Sequence, residues 1–170
     1  MGRKLEIKQI LSFNTWSYSI GRPVLQIALA VLLTGTTSSC DNSTTALNIG
    51  VLHDSQSRNG APTVQPAQLA VEQINAKGGL SVKGQKHTIQ LIVMDSGSTP
   101  VQAMKAAQKL ISDNVVAIIG PNTSRTAIPV AGLAENAKVP LITPIATHVD
   151  ITKNNQYAFR TAFSDELQGE

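Results

Sequence analysis

The stretch TPVQAMKAAQKLISDNVVAIIGPNTS, residues 99–124, predicts a helix, a buried strand, a tight loop and the start of a second helix. Thr99 and Pro100 are typical of a helix N-cap and first helical position, and we expect this helix to end near Asp113. Residues 115–119, VVAII, are almost wholly apolar and predict a strand that is buried on both faces, as do the apolar runs at 87–95 and 139–143. The helical spacing predicts a buried stripe of Val101, Met104, Ala107 and Ile111.

The same alternation of strands and helices continues on both sides of this unit. A polar turn is predicted at residues 81–86. Short connections between alternating strands and helices are typical of parallel sheets with right-handed crossovers. The predicted fold class is therefore α/β, a doubly wound parallel sheet. The further predicted strands are 47–52, 87–95, 139–143 and a weaker one at 157–163, and the further helices are 64–77 and 124–138.

The N-terminal segment differs in composition from the rest and is typical of an export signal. Residues 1–39 hold four basic residues and one acidic residue, a net charge of +3, which equals the net charge of the whole 170-residue chain. An apolar run at residues 24–33 is too short to span a bilayer comfortably. The remainder of the chain is neutral overall, so its composition predicts no nucleic-acid partner.

Cys40 is the single cysteine of the chain, which excludes an intramolecular disulfide. Small residues precede it, as in a lipobox where cleavage before the cysteine allows lipid to be attached to its sulfur. Thr37 stands where such signals usually carry Leu, and an unmodified thiol is the alternative. We predict a lipoprotein signal peptide at 1–39 and a polar tether at 40–46, with the protein exported to the periplasm or cell surface and anchored to the membrane by lipid.

Loops at the carboxyl ends of the predicted strands are the expected ligand-binding edge of an open α/β sheet. They are rich in Ser, Thr, Asn and Gly, and they contain no carboxylate pair, no His/Cys cluster and no phosphate-binding lysine. Ser124 with a histidine is disfavoured as a nucleophile pair because no G-x-S-x-G turn surrounds it. We therefore predict no catalytic residue, no metal site and no cofactor. The loops are residues 53–63, 96–99, 120–124 and 144–150.

Two of these loops carry groups that suit a small zwitterion or amide. Ser124 lies at a helix start, where free N–H groups and the helix dipole favour an anion such as a carboxylate. The Ile145 backbone and the Thr147 hydroxyl are suited to an ammonium or amide group. Helix capping by Ser124 and ordinary turn chemistry at Thr147 are the alternatives, and the residues alone leave them open.

The order and spacing of these segments resemble the leucine/isoleucine/valine-type periplasmic binding proteins, which have the type I binding-protein fold. The resemblance implies a non-enzymatic substrate-binding component of an ABC importer, with permease subunits as partners and branched-chain-type amino acids, small amides or urea as ligands. A ligand-sensing receptor domain and a nonfunctional truncated remnant are the alternatives. The matching stretches are IGVL, AVEQINAKGG, AMKAAQKLISDNVVAIIGPNTS, VPLITPIAT and FRTAFSDELQG.

The resemblance also implies roles for individual residues. It implies that Ser124 binds the ligand α-carboxylate through its hydroxyl and backbone N–H. Thr147 is expected to give its N–H to the carboxylate and its hydroxyl to the ammonium group, which the Ile145 carbonyl also receives. Asn122 and Thr123 are expected to line the pocket for the ligand side chain.

The pocket for the ligand side chain departs from the branched-chain pattern. Asn59 stands about where an aromatic residue often walls that pocket, and Asn122 is polar where an apolar residue is expected. These positions favour a polar amino acid, urea or a short amide. The resemblance covers only the N-terminal part of a normal family member, so we expect residues 47–170 to be a truncated ligand-binding lobe whose second lobe is missing.

Overall fold

The computed structural model describes residues 46–56 and 61–169, with residues 61 and 62 described by their backbone alone. The predicted signal peptide, the tether up to residue 45, Cys40 and Asn59 lie outside the described residues. The strands are β1 (Leu47–His53), β2 (Leu80–Val82), β3 (Gln85–His87), β4 (Ile89–Asp95), β5 (Ala117–Ile119), β6 (Leu141–Thr143) and β7 (Ala158–Arg160). The helices are α1 (Ala61–Ala76), α2 (Pro100–Ser112), α3 (Ser124–Ala137) and α4 (Asp165–Gln168), with a 3-10 turn at Val149–Ile151.

Five of the described strands form a parallel sheet in the order β4-β1-β5-β6-β7. The predicted doubly wound α/β class is confirmed. The predicted polar turn at residues 81–86 is instead the antiparallel hairpin β2-β3, in which Leu80 pairs with His87. His87 therefore belongs to the hairpin, and β4 begins two residues later than predicted.

Helices α2 and α3 pack against each other and cover one face of the sheet. The predicted helix start is confirmed, because the Thr99 hydroxyl accepts from the Gln102 N–H and Pro100 is the first helical residue. The predicted stripe is wrong in part: Val101 is 58% exposed. Because α2 contacts α3 as well as the sheet, a different face turns inward, and the small side chains on that face let the two helices approach closely. The buried residues of α2 are Ala103, Ala106, Ala107 and Leu110.

The other face of the sheet is covered only in part by described residues. Helix α1 contacts β4 and β1. Beyond it, Ile142 and Phe159 lie side by side in register and are 37% and 51% exposed. At the edge strand β4, Val93 is 39% exposed. The prediction that these apolar strands are buried on both faces is therefore wrong for β4 and β6 among the described residues. It is also wrong in part for residues 115–119, because β5 begins at Ala117 and Val116 is 47% exposed. Apolar composition does not say which helices cover a strand.

Two polar side chains fasten helix ends to the amino edge of the sheet. The Asn75 side chain exchanges two hydrogen bonds of 2.8 Å with the backbone of Ile89, which joins the end of α1 to β4. The Glu135 carboxylate near the end of α3 accepts from the Gln156 and Tyr157 N–H groups at 2.7 and 2.8 Å, just before β7. Side-chain hydrogen bonds therefore stabilise the amino edge of the sheet. A ligand-binding site is expected in the loops at the opposite, carboxyl edge.

Candidate functional site

The carboxyl edge of the sheet has two halves of different chemistry. Loops after β1 and β4 carry Asp54 and Asp95, and we call them the acidic half. Loops after β5 and β6, residues 120–124 and 144–148, carry hydroxyls and no acidic residue, and we call them the hydroxyl half. Strands β5 and β6 are direct neighbours, so the two loops of the hydroxyl half leave the sheet side by side.

Gly120 sets the path of the first loop of the hydroxyl half. Its φ is +89°, in the left-handed region, and a Cβ there would lie 2.1 Å from the Leu52 carbonyl oxygen. Its N–H donates to the Ile142 carbonyl at 2.8 Å. Only glycine combines this conformation with such a close approach to β1. The loop therefore lies close to the end of β1, and α3 begins at its last residue, Ser124.

The start of α3 decides against the alternative that Ser124 caps its own helix. Thr123 is the N-cap residue and Ser124 the first helical residue. The Thr123 hydroxyl bonds the Thr126 hydroxyl at 2.8 Å and caps no backbone N–H. Among the described residues, the N–H groups of Ser124 and Arg125 have no hydrogen-bond partner. The first turn of α3 therefore presents unpaired donors and the positive end of its dipole.

The Ser124 hydroxyl faces the second loop instead of its own helix. Its Oγ accepts a 3.2 Å hydrogen bond from the His148 backbone N–H. Contact with His148 is through the backbone, while the imidazole Nδ1 accepts from the Asp150 N–H at 3.2 Å. This geometry ties the loops of Ser124 and Thr147 together and gives no Ser–imidazole hydrogen bond of the kind a nucleophile needs.

Thr147 is half-buried, and hydrogen bonds to its carbonyl hold its backbone in place. Its carbonyl accepts from Arg160 Nη1 at 3.1 Å and from the Asp165 N–H at 3.2 Å. Its own N–H and hydroxyl have no partner among the described residues, and neither does the carbonyl of the exposed Ile145. Donors for an anion and acceptors for a cation thus remain available in the same half of the edge.

Asn122 is placed differently from an open pocket wall. It is buried, and its Nδ2 donates to the Thr63 hydroxyl in the first turn of α1 at 2.6 Å. Thr123 is half-buried next to it. The predicted pocket-lining roles of Asn122, Thr123 and Asn59 stay predictions, and the described Asn122 contact fastens α1 to the hydroxyl half.

Arg160 is a site residue that sequence reasoning missed. From the end of β7 its Nη1 donates to the carbonyls of Thr147 and, at 2.9 Å, of His148. A basic residue at the carboxyl end of a strand was the available signal. It points to this loop only once β7 is known to lie next to β6.

The acidic half is occupied by its own hydrogen bonds. Asp95 accepts from the Ser55 hydroxyl, from the Ser55 N–H at 3.4 Å and from the Gly97 N–H at 2.8 Å. The Ser55 hydroxyl bond, followed by the Gly97 bond, lowers the pKa of Asp95 below its ordinary value of 3.8. The buried Asp54 accepts from the Gln56 N–H at 3.0 Å and the Ser98 hydroxyl at 3.2 Å. The two carboxylates therefore join the loop after β1 to the loop after β4 through hydrogen bonds.

A groove of about 640 Å³ lies beside the acidic half. Asp95, Gln102 and Lys105 line it, along with parts of the 97–99 loop. Both Asp95 oxygens already accept hydrogen bonds within the loops, so Asp95 has a structural role at this groove. In the described part of the chain no group of three or more His, Cys, Asp or Glu residues could hold a metal ion. Nor is any helix of that part long and apolar enough to cross a membrane.

Fold and site together define a doubly wound α/β domain whose free donors gather beyond its strand ends, the place where domains of this class bind small molecules. Residues 46–170 match the family model described as periplasmic binding protein. The chain therefore belongs to the periplasmic binding protein family.

Similar proteins come from several bacteria. The Leu/Ile/Val-binding protein BraC3 of Rhizobium johnstonii is 42% identical over 106 residues, which is 61% of this chain and 28% of that protein. The branched-chain amino acid transporter substrate binding protein LivJ of Streptococcus pneumoniae, solved with isoleucine, is 33% identical with a TM-score of 0.64, covering 71% of this chain and 35% of that one.

A third similar protein was solved with a different kind of ligand. The solute binding protein of an ABC transporter from Rhodopseudomonas palustris, in complex with 3,4-dihydroxy benzoic acid, is 30% identical with a TM-score of 0.57. That match covers 70% of this chain and 32% of the other. The chain thus spans about a third or less of the length of these relatives.

Proposed function

We propose that this chain is a ligand-binding lobe of the extracytoplasmic solute-binding component of an ABC importer. Its ligand is an amino acid of the branched-chain type or a related small amide or urea, and the donors of the hydroxyl half suit the carboxylate of an amino acid or the carbonyl oxygen of an amide. The proposal extends to the permease subunits as partners, and it assigns the chain no catalytic step.

One observation carries this proposal: the 3.2 Å hydrogen bond from the His148 N–H to Ser124 Oγ. It joins the loops of Ser124 and Thr147, so that the unpaired N–H groups of Ser124 and Thr147 and the Thr147 hydroxyl belong to one surface. Two or three N–H and O–H donors are what a carboxylate requires. The free Ile145 carbonyl adds an acceptor for an ammonium or amide hydrogen.

The comparisons support the carboxylate more strongly than any particular side chain. The Streptococcus pneumoniae relative was solved with isoleucine and the Rhodopseudomonas palustris relative with an aromatic acid. The two ligands share a carboxylate and differ in the rest. In this chain the polar Asn59, which stands about where an aromatic residue often walls the pocket, favours a polar ligand body over a branched aliphatic one.

Ligand titration of the full chain, followed by amide NMR, tests this function. We expect saturable shifts at Ser124, Thr147 and His148 with amino acids. L-Leucine, L-asparagine, urea and 4-hydroxybenzoate are the probes, and Ser55→Ala is the control that leaves the hydroxyl half intact. Shifts that map to Asp54 and Asp95 instead, or a panel that leaves Ser124 unmoved, contradict the proposal.

Export and lipid attachment are part of the proposed function. The family match and the composition of residues 1–39 support export, and the small residues before Cys40 support lipid attachment there. Mass spectrometry of the exported chain should detect a diacylglycerol on Cys40, and Cys40→Ser should release the protein from membranes. An unmodified Cys40 in the membrane-free fraction would overturn the anchor and leave the binding proposal standing.

A further inference from the structure

We infer that Arg160, the Thr147–His148 peptide group and the Ser124 hydroxyl form a polarised hydrogen-bond relay that strengthens carboxylate binding from behind the site. The inference rests on the proposed function in one respect, that the hydroxyl half binds a carboxylate. Arg160 is a positioning residue in this relay, because it acts on the site through a peptide group.

The relay begins with a fixed positive charge. Arg160 Nη1 lies 3.1 Å from the Thr147 carbonyl oxygen and 2.9 Å from that of His148. A guanidinium is charged at all relevant pH values and holds a rigid planar geometry. Hydrogen bonds from a charged donor are about twice as strong as neutral ones. The carbonyl of Thr147 therefore has its electron density drawn toward Arg160.

A single peptide group carries that polarisation to the site. The Thr147 carbonyl and the His148 N–H belong to the same peptide bond, whose resonance couples oxygen and nitrogen. Withdrawal of density at the oxygen makes the N–H a stronger donor. That N–H is the one that donates to Ser124 Oγ at 3.2 Å. Hydrogen bonds in such chains strengthen one another.

The last member of the relay is the Ser124 hydroxyl, which has one hydrogen to donate. Because Oγ already accepts from His148, its hydrogen is left to donate, and no acceptor for it is present among the described residues. The half-buried position of Ser124 leaves it reachable by a ligand. Every bond in the chain runs in the same direction, from cation to hydroxyl, so its open end selects a negatively charged acceptor over a neutral one.

Acetate and acetamide are the probes that test the relay, because they have the same size and differ in charge. We expect the full chain to bind acetate more tightly, as measured by the saturable shift of the Ser124 amide. Arg160→Met should lower the acetate-over-acetamide preference about fivefold, and Arg160→Lys should lower it less. Arg125→Met is the matched control: it removes an equal charge next to Ser124, on an exposed side chain that has no hydrogen bond to this loop among the described residues, so its effect should be clearly smaller than that of Arg160→Met.

A structural role for Arg160 predicts a different pattern. If Arg160 merely holds the loop, Arg160→Met weakens acetate and acetamide equally, and that result overturns the relay. A wild-type chain that shows no saturable acetate shift at Ser124 overturns it as well. If Arg125→Met lowers the acetate-over-acetamide preference as much as Arg160→Met does, the preference comes from general positive charge, and that result overturns the relay.

The wild-type chain provides a second measurement that needs no variant. On acetate binding the Ser124 hydroxyl becomes a better acceptor, so the His148 amide proton should move downfield and the Arg160 guanidinium signals should shift with it; acetamide should move them less. Static His148 and Arg160 signals during acetate saturation overturn the relay even if Arg160→Met fails to fold. If L-leucine fails to bind while acetate gives these signals, the amino-acid function fails and the relay stands.

Discussion

The acidic and hydroxyl halves of the carboxyl edge are built from the same kinds of short loops and reach opposite outcomes. In the acidic half, Asp54 and Asp95 supply acceptors, and nearby N–H and O–H donors close on them. In the hydroxyl half no carboxylate is present, and the donors of Ser124 and Thr147 have no such acceptor among the described residues. An anionic ligand would therefore supply to the hydroxyl half the acceptors that Asp54 and Asp95 supply to the acidic half.

Gly120→Ala should have the largest effect, because it disturbs the loop on which the hydroxyl half is built. A Cβ at φ +89° and 2.1 Å from the Leu52 carbonyl forces the backbone to move, and we expect unfolding to become easier by about 3 kcal/mol. Urea denaturation measures this.

Gly132→Ala is the matched control for that variant. Gly132 lies within α3 with open space around it, so alanine there should stabilise the chain by about 0.5–1 kcal/mol. Equal responses of the two variants would show that the Gly120 conformation is not what holds the loop.

Ser124→Ala should have the next largest effect, on binding rather than on stability. It removes a hydroxyl donor to the carboxylate, so acetate affinity should fall about tenfold or more while the free energy of unfolding changes by less than about 1 kcal/mol. Ser55→Ala removes a hydroxyl of the acidic half and should leave acetate affinity unchanged. Paired NMR titrations of the two variants measure this difference, and similar losses in both would erase the functional distinction between the halves.

Asn122→Leu should have an intermediate effect on stability. The variant leaves the buried Thr63 hydroxyl without its 2.6 Å partner, which should cost about 1–2 kcal/mol. Thr63→Val in the same chain removes the orphaned hydroxyl and should recover part of that loss. A double-mutant cycle by urea denaturation tests the coupling, and strictly additive losses would mean that this hydrogen bond does not join α1 to the hydroxyl half.

Ser55→Ala should have the smallest effect and should sharpen the comparison through pH. Because the Ser55 hydroxyl lowers the pKa of Asp95, its loss should move that pKa back toward 3.8. A lowered folded-state pKa contributes stability above the unfolded value, and this contribution is lost as pH falls through the folded value. Carboxyl NMR titration measures the midpoint; an Asp95 midpoint that does not rise in Ser55→Ala would show that the hydroxyl is not the cause.

The sequence predicted the sheet class well because strand and helix periodicities are local properties. Thr99 and Pro100 marked the start of α2 correctly, since cap chemistry depends on a few adjacent residues. The buried face of α2 was wrong at Val101, because packing against a second helix decides which side turns inward. The predicted start of α3 at Ser124 agrees with the structure, but the role of the Ser124 hydroxyl was left open, because its tertiary partner, His148, could not be found from local chemistry.

By itself, the sequence determined the parallel α/β class, the hydroxyl-rich composition of two loops and the family resemblance, all of which depend on residue type and spacing along the chain. Tertiary structure alone decided that the Ser124 hydroxyl accepts from His148, that Arg160 lies behind Thr147 and that Asp54 and Asp95 are bonded within their own loops. Hydrogen bonds between distant residues depend on strand order and loop direction. Those are set by packing of the whole sheet, which no local pattern encodes.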